Sequence, residues 1–191
     1  TTLNGFQGVS QNARILPIKV VQTGPNAPIR PQDLSAEAGT ALTENVAKGI
    51  LHAIDRGAKI IHLSLAWPES IRSASVDAAM DLASKKKILV VSSAGNDSTD
   101  ARVFPCIYEA VVCVGSHGPD GFPSHFSNYG PMVDLLAPGI SILSSWPLSK
   151  TPVSFAGAVG YEYRNGTSMA APFVTGALAE LLAHDYSPDE A

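Results

Sequence analysis

The residue pattern with the clearest chemical potential lies near the end of the chain, in Gly166-Thr-Ser-Met-Ala-Ala-Pro172. It opens a segment, 167–184, whose apolar residues surround it almost completely, and this pattern predicts a buried helix. Ser168 would lie in the first turn, where free N–H groups and the helix dipole favour developing negative charge. We expect Gly166 to allow close approach of another backbone and Pro172 to be tolerated because the first turn has no N–H to lose. A nucleophilic serine fits this pattern, and so does an ordinary Ser-capped helix.

A second pattern joins an apolar strand to an amide side chain. The run Val90-Val-Ser-Ser93 continues into Ala94 and Gly95 and ends on Asn96. Parallel sheets bind ligands at the carboxyl ends of their strands, and an Asn at such a place could donate to an oxyanion. A turn Asn is the commoner role of this residue, and the pattern alone leaves both interpretations open.

The elements that must position these residues alternate between strand and helix. Short apolar runs predict strands, and apolar residues at four-residue steps predict helices. The predicted strands span 13–21, 59–65, 88–93, 110–115, 132–136, 141–145 and 153–158, and the predicted helices span 40–56, 70–84 and 167–184. Repeated strand–helix units predict an α/β fold, with an open, mostly parallel sheet and helices on both faces, in a single domain over residues 1–191.

The composition excludes several classes of function. Hydrophobic residues make up 45% of the 191 residues and charged residues 16%, and the charged share is below the usual ~25%, which indicates a large core. The net charge is −4 and no basic stripe extends beyond 85–87, so we expect no nucleic-acid partner. We expect no membrane association, because no apolar run approaches the ~18 residues that a membrane span needs. No phosphate-binding glycine motif follows any predicted strand, so nothing indicates a nucleotide.

The two cysteines, Cys106 and Cys113, are seven residues apart. This is not a zinc pattern, because no second Cys or His pair stands at ligand spacing. Two buried thiols are the commoner arrangement. The alternative is a disulfide, which requires an oxidising compartment, and the sequence does not decide between them.

Together, these motifs resemble those of the subtilisin-like serine proteases, the subtilase family. The segment 166–172 resembles the family's nucleophile motif, and Ala94-Gly95-Asn96 resembles its oxyanion-hole motif. The segments 8–13, 60–65, 126–130 and 134–139 also fit in family order, so the resemblance covers nearly the whole chain. It implies a subtilisin-like fold and a serine endopeptidase with an extracellular or secreted location. The alternative is a non-catalytic pseudoprotease or peptide-binding module.

The resemblance also implies roles for single residues. Ser168 would be the acyl-forming nucleophile, and its own N–H and the Asn96 side-chain amide would hold the tetrahedral oxyanion. An extended protein or peptide substrate would pair with the chain as an added strand. The residues implied to bind substrate are Ser64, Leu65, Ala66, Ala94, Gly95 and Thr167. The family usually has Gly where this chain has Ala66, and the added methyl group would crowd the substrate.

The family's catalytic Asp and its His-Gly-Thr motif have no match in this chain. We expect both residues to come from an upstream segment absent from it, which would act as a partner, so the fold would be incomplete at the N-terminus and the chain alone inactive. Structural or surface roles are expected for the five histidines, which are His52, His62, His117, His125 and His184.

The resemblance finally implies a cation site, although the chemistry itself would require no cofactor. In similar proteases the Asp at the position of Asp134 helps to bind a cation together with backbone carbonyls, here those of Cys106, Tyr108 and Val111. Oxygen ligands of this kind suit a structural Ca²⁺ or Na⁺. On its pattern alone, Asp134 is simply an Asp at a short strand.

Overall fold

The computed structural model describes residues 7–21, 36–145 and 160–189. This part of the chain contains three helices and eight strands. The helices are α1 (Ala36–Asp55), α2 (Ala74–Lys85) and α3 (Thr167–Ala183). The strands are β1 (Ile60–Leu63), β2 (Trp67–Pro68), β3 (Leu89–Ser93), β4 (Val103–Phe104), β5 (Val111–His117), β6 (Leu135–Pro138), β7 (Ile142–Ser145) and β8 (Tyr161–Arg164).

Four of the strands form a parallel sheet in the order β1-β3-β5-β6. The register pairs Ile61 of β1 with Val90 of β3, and Val91 of β3 with Val112 of β5. These strands read as continuous apolar runs because both faces of the sheet are covered. The predicted α/β fold with an open parallel sheet is confirmed.

Helices cover both faces of this sheet. Val90 packs with Val46 of α1 and Val76 of α2 on one face. Its neighbour Val91 points to the opposite face and packs with Ala170 of α3, because successive side chains of a strand alternate between faces. Ala170 is fully buried, and its small side chain lets α3 approach the sheet closely. Within the described residues, no helix is both long and apolar enough to cross a bilayer.

The prediction of a strand over 13–21 is wrong. The structure shows no strand there, and Ile15 is 88% exposed. Two residues of the segment lie instead near α1, where a Cβ added to Gly49 would meet Val20 at 2.7 Å and Ile18 at 3.3 Å. An apolar run forms a strand only where a neighbouring strand supplies hydrogen-bond partners. The predicted strand over 153–158 lies outside the described residues.

Two small antiparallel pairs flank the main sheet. The pair β2–β4 aligns Trp67 with Phe104, and their rings stack with centroids 6.1 Å apart. The pair β7–β8 aligns Ile142 with Arg164. Sequence patterns did not predict β8, nor β2 and β4, which have two residues each and are too short to show a period. Helix α2 begins at Ala74, after the extended residue Ser73, rather than at residue 70 as predicted.

Cys106 and Cys113 form a disulfide with their Cα atoms 5.1 Å apart. The interpretation as two buried thiols is therefore wrong, and the alternative holds. The bond joins the segment after β4 to the middle of β5. Both cysteines are buried with Ala94, so the disulfide lies directly beneath the loop that leaves β3.

Candidate active site

Ser168 is the second residue of α3 and is half-buried. Gly166 precedes the helix with φ +150°, a conformation that side chains rarely adopt. Its N–H donates to the Gly139 carbonyl at 2.9 Å, which joins the start of α3 to the end of β6. Pro172 is the sixth residue of the helix, so the prediction that it lies in the first turn is wrong. Its missing N–H removes a hydrogen bond from the helix interior.

Asn96 lies across from the start of α3 in a fixed orientation. Its Oδ1 atom accepts the backbone N–H of Thr167 at 2.9 Å and the Thr167 hydroxyl at 3.1 Å. Because the side-chain oxygen is held in this way, the Nδ2 group must point to the other side. Within the described residues, nothing accepts from Nδ2, and Asn96 is exposed. The structure therefore presents an amide donor to solvent beside the N-terminus of α3.

Thr167 connects the loop after β3 to the start of α3. Its hydroxyl oxygen also accepts the N–H of Gly95 at 3.2 Å, and the residue is 0% exposed. The expectation that Thr167 contacts substrate is not supported by this burial, because its side chain is occupied within the protein. Its hydrogen bonds instead orient the Asn96 amide.

Asn128 holds the same loop through side-chain hydrogen bonds. The sequence motifs did not identify it as a site residue. It is 1% exposed, and its Oδ1 accepts the N–H groups of Asp97 at 2.9 Å and Thr99 at 3.3 Å. Its Nδ2 donates to the Ala94 carbonyl at 2.9 Å. A Cβ on Gly95 would collide with the Asn128 amide. The resemblance included segment 126–130, but nothing in the sequence indicated that this Asn would reach a loop 30 residues away.

The residues predicted to bind substrate lie next to Ser168. Ser64, Leu65 and Ala66 follow β1 without strand pairing and are half-buried. Ser168 Oγ lies 3.5 Å from the Ser64 carbonyl oxygen. Ala94 and Gly95 are both buried, and the Gly95 N–H donates to the hydroxyl of Thr167, the residue before Ser168.

Among the described residues, the five histidines contact groups other than the Ser168 side chain. His117 Nδ1 lies 2.7 Å from the Gly118 carbonyl, and His184 Nδ1 lies 2.9 Å from the Glu180 carbonyl. His125 packs edge-on against a phenylalanine, and His52 lies in the last turn of α1. His62 is engaged by two hydroxyl groups. Within the described residues, no histidine is hydrogen-bonded to Ser168.

Asp134, the predicted cation ligand, is exposed and lies just before β6. Its Oδ2 accepts the backbone N–H of Cys113 at 2.7 Å, which leaves Oδ1 for another partner. The Tyr108 carbonyl accepts the N–H of Val111 at 3.0 Å. The described residues include no group of three or more His, Cys, Asp or Glu side chains that could hold a metal. A cation here would therefore be held mainly by backbone oxygens.

This geometry defines a class of α/β protein with a helix-borne serine at the carboxyl edge of a parallel sheet and an amide donor beside it. The sequence model of the Subtilase family matches residues 1–190. The chain belongs to the subtilase family, and the resemblance noted in its motifs is confirmed.

Known relatives and solved structures agree with this assignment. Thermitase from Thermoactinomyces vulgaris is 35% identical over 86% of this chain and 54% of the relative. The major intracellular serine protease of Bacillus subtilis is 33% identical over 95% of this chain and 50% of the relative. A cold-adapted subtilisin-like serine proteinase is similar in structure, with a TM-score of 0.65 and 31% identity, over 78% of this chain and 51% of that one. The chain thus spans about half the length of these proteins.

Proposed function

We propose that this chain is the larger, carboxyl-side part of a serine endopeptidase that forms an acyl-enzyme on Ser168. The Ser168 hydroxyl would attack the scissile carbonyl, and its proton would pass to a histidine base. The leaving amine would take that proton, and water would then hydrolyse the ester. The relatives' names describe proteases, and the family assignment supports the same reaction for this chain.

The observation that carries the proposal is the hydrogen bond between Asn96 Oδ1 and the Thr167 N–H, at 2.9 Å. It directs the Asn96 Nδ2 donor outward, beside the N-terminus of the helix that bears Ser168. The tetrahedral oxyanion would then be bound by Nδ2 and by the Ser168 N–H. Donors fixed before the reaction begins stabilise charge that develops in the transition state, and they need no reorganisation when it forms.

The substrate would be an extended peptide that pairs with the backbone of Ser64, Leu65 and Ala66. Ser92 Oγ lies 3.1 Å from the Leu63 carbonyl and 3.2 Å from the Leu65 carbonyl, which supports this segment from β3. The side chain before the scissile bond would lie against Ala94 and Gly95. Main-chain pairing of this kind gives affinity for extended chains with little dependence on sequence.

The catalytic Asp and His would be supplied by an upstream segment. Two observations support this part of the proposal. No described histidine reaches Ser168, and β1 pairs only with β3 among the described strands, so its other edge is open to a further strand. Without that segment, Ser168 lacks a base, and a serine hydroxyl without one is a weak nucleophile.

We also propose a structural cation and an extracellular location. Asp134 Oδ1 and the carbonyls of Cys106, Tyr108 and Val111 would hold Na⁺ or Ca²⁺, which would stabilise the fold and take no part in the chemistry. The disulfide between Cys106 and Cys113 supports an oxidising compartment, although some relatives are named as intracellular.

Reconstitution tests the proposed function. The 191-residue chain is purified and assayed with a chromogenic peptide and a fluorophosphonate probe, alone and with the upstream segment added in trans. We expect hydrolysis and labelling only with the segment, and neither in Ser168→Ala. Peptide binding without hydrolysis in the reconstituted protein would instead support the peptide-binding module. Robust activity of the chain alone would show that one of its own histidines acts as the base.

A further inference from the structure

The helix that carries Ser168 lacks one of its internal hydrogen-bond donors. Pro172 lies inside α3 and has no N–H to offer to the carbonyl of Ser168, four residues earlier. A helix carbonyl without its donor, in a partly buried place, destabilises the local backbone. The peptide group that follows the nucleophile therefore needs a donor from outside the helix.

The Ser64 hydroxyl supplies this donor. Ser64 Oγ donates to the Ser168 carbonyl at 3.0 Å, from the end of β1. A side chain from the segment that follows β1 thus takes the place of the backbone N–H that Pro172 lacks. The hydroxyl has one hydrogen, and once that hydrogen is given to the carbonyl, Ser64 Oγ can only accept from its other partner.

That other partner is His62. Its Nε2 lies 2.7 Å from Ser64 Oγ, and its Nδ1 lies 2.8 Å from Thr175 Oγ1. Because Ser64 must accept, Nε2 carries the hydrogen, and in the neutral ring Nδ1 accepts from the Thr175 hydroxyl. Thr175 Oγ1 also lies 3.1 Å from the Ala171 carbonyl. That carbonyl is four residues before Thr175 and has the backbone N–H of Thr175 as its helical donor, so the hydroxyl hydrogen can turn to His62. Ser168 and Thr175 are two helical turns apart on one face of α3. His62 therefore links the sheet to the helix at two points.

We propose that His62 is a positioning residue for Ser168, which acts through the Ser64 hydroxyl and fixes the peptide group that follows the nucleophile. This inference rests on the proposed function. It assigns to Ser64 a side-chain role distinct from the backbone pairing with substrate. His62 does not touch the Ser168 hydroxyl, so it is not the missing base.

A mutant cycle with Pro172 tests the proposal in the protein assembled with its upstream segment, with the rate of fluorophosphonate labelling of Ser168 as readout. We expect Ser64→Ala and His62→Phe to slow labelling about 3- to 10-fold, the loss of one net hydrogen bond. His62→Gln, which keeps an N–H near the Nε2 position, should be slowed less than His62→Phe. Thr175→Val serves as the matched control, because it removes the hydroxyl that contacts His62 Nδ1 and the Ala171 carbonyl and keeps the contact between Ser64 and Ser168. It should therefore change the rate less than Ser64→Ala.

Pro172→Ala restores a backbone donor to the Ser168 carbonyl. On that background, Ser64→Ala should slow labelling by less than about twofold, because the hydroxyl is no longer needed. Equal losses on both backgrounds would overturn the proposal, since a general packing role for Ser64 does not depend on residue 172.

The tautomer of His62 gives a readout that is independent of catalysis. Long-range ¹H–¹⁵N NMR correlations should show a neutral ring protonated on Nε2, and Ser64→Ala should shift this equilibrium. A ring protonated on Nδ1 would overturn the proposal, because the Ser64 hydroxyl would then donate to His62 instead of Ser168. If Ser168 is not labelled in the unsubstituted protein, the proposed function fails. The tautomer of His62 would still show whether the Ser64 hydroxyl donates to the Ser168 carbonyl.

Discussion

The side-chain oxygen of Asn96 accepts the backbone N–H of Thr167 at 2.9 Å. The bond joins the loop that leaves β3 to the first residue of α3, across 71 residues of sequence. It uses one of the free N–H groups at the helix start and at the same time fixes which end of the Asn96 amide faces outward. The same contact therefore stabilises the fold and orients a donor beside Ser168.

Replacement of Asn96 by Leu should reduce kcat of the reconstituted protease about 10²–10³-fold, the range found when a single oxyanion donor is removed from an enzyme of this family. KM should change little, because the donor acts mainly on the transition state. Steady-state kinetics with a chromogenic peptide separate the two constants. A change confined to KM would place Asn96 in ground-state binding of the substrate instead.

Replacement of Ser168 by Ala should abolish fluorophosphonate labelling and nearly all turnover, because only binding and oxyanion stabilisation remain once the nucleophile is lost. Mass spectrometry of the labelled protein should place the adduct on Ser168 alone. The exposed strand residue Ser144 provides a control, and Ser144→Ala should be labelled normally. An adduct on any other serine would contradict the assignment.

Replacement of Asn128 by Ala should lower the free energy of unfolding by on the order of 3 kcal/mol, because it leaves two loop N–H groups and the Ala94 carbonyl without their partner. Urea denaturation measures this change. Asn165, which is exposed and, among the described residues, accepts only the Ser141 N–H at 2.7 Å, is the matched control, and Asn165→Ala should lower stability by less than about 1 kcal/mol. Equal losses of unfolding free energy in the two variants would contradict the prediction that Asn128 stabilises the loop after β3.

Stability should fall as the pH is lowered below about 6.5, in part because of His62. Burial lowers the pKa of His62 from its usual value of 6.5. Between the lowered pKa and 6.5, the unfolded chain binds a proton that the folded protein does not, so acid favours unfolding. Stability is therefore fully present above about pH 6.5 and is lost as the pH falls through this window. Urea denaturation at a series of pH values should show a smaller loss in His62→Gln, and an identical pH profile would contradict the prediction.

The sequence by itself determined the alternation of strands and helices and the order of its two chemical motifs. These features are local. An apolar run or a four-residue step depends only on neighbouring residues, and the segments containing Ser168 and Asn96 carry their pattern within seven residues each. The parallel sheet with helices on both faces followed from that alternation, because right-handed crossovers leave few other arrangements.

The tertiary structure alone decided which residues support the site. Asn128 reaches Ala94 over 34 residues and Ser64 reaches Ser168 over 104, and no local pattern encodes such contacts. The sequence also left the cysteine pairing open, and it predicted a strand over 13–21 where none forms. In each case the outcome depends on the folded arrangement and not on a local sequence pattern, because a hydrogen bond, a disulfide or a strand pair forms only when folding brings both members together in the right geometry.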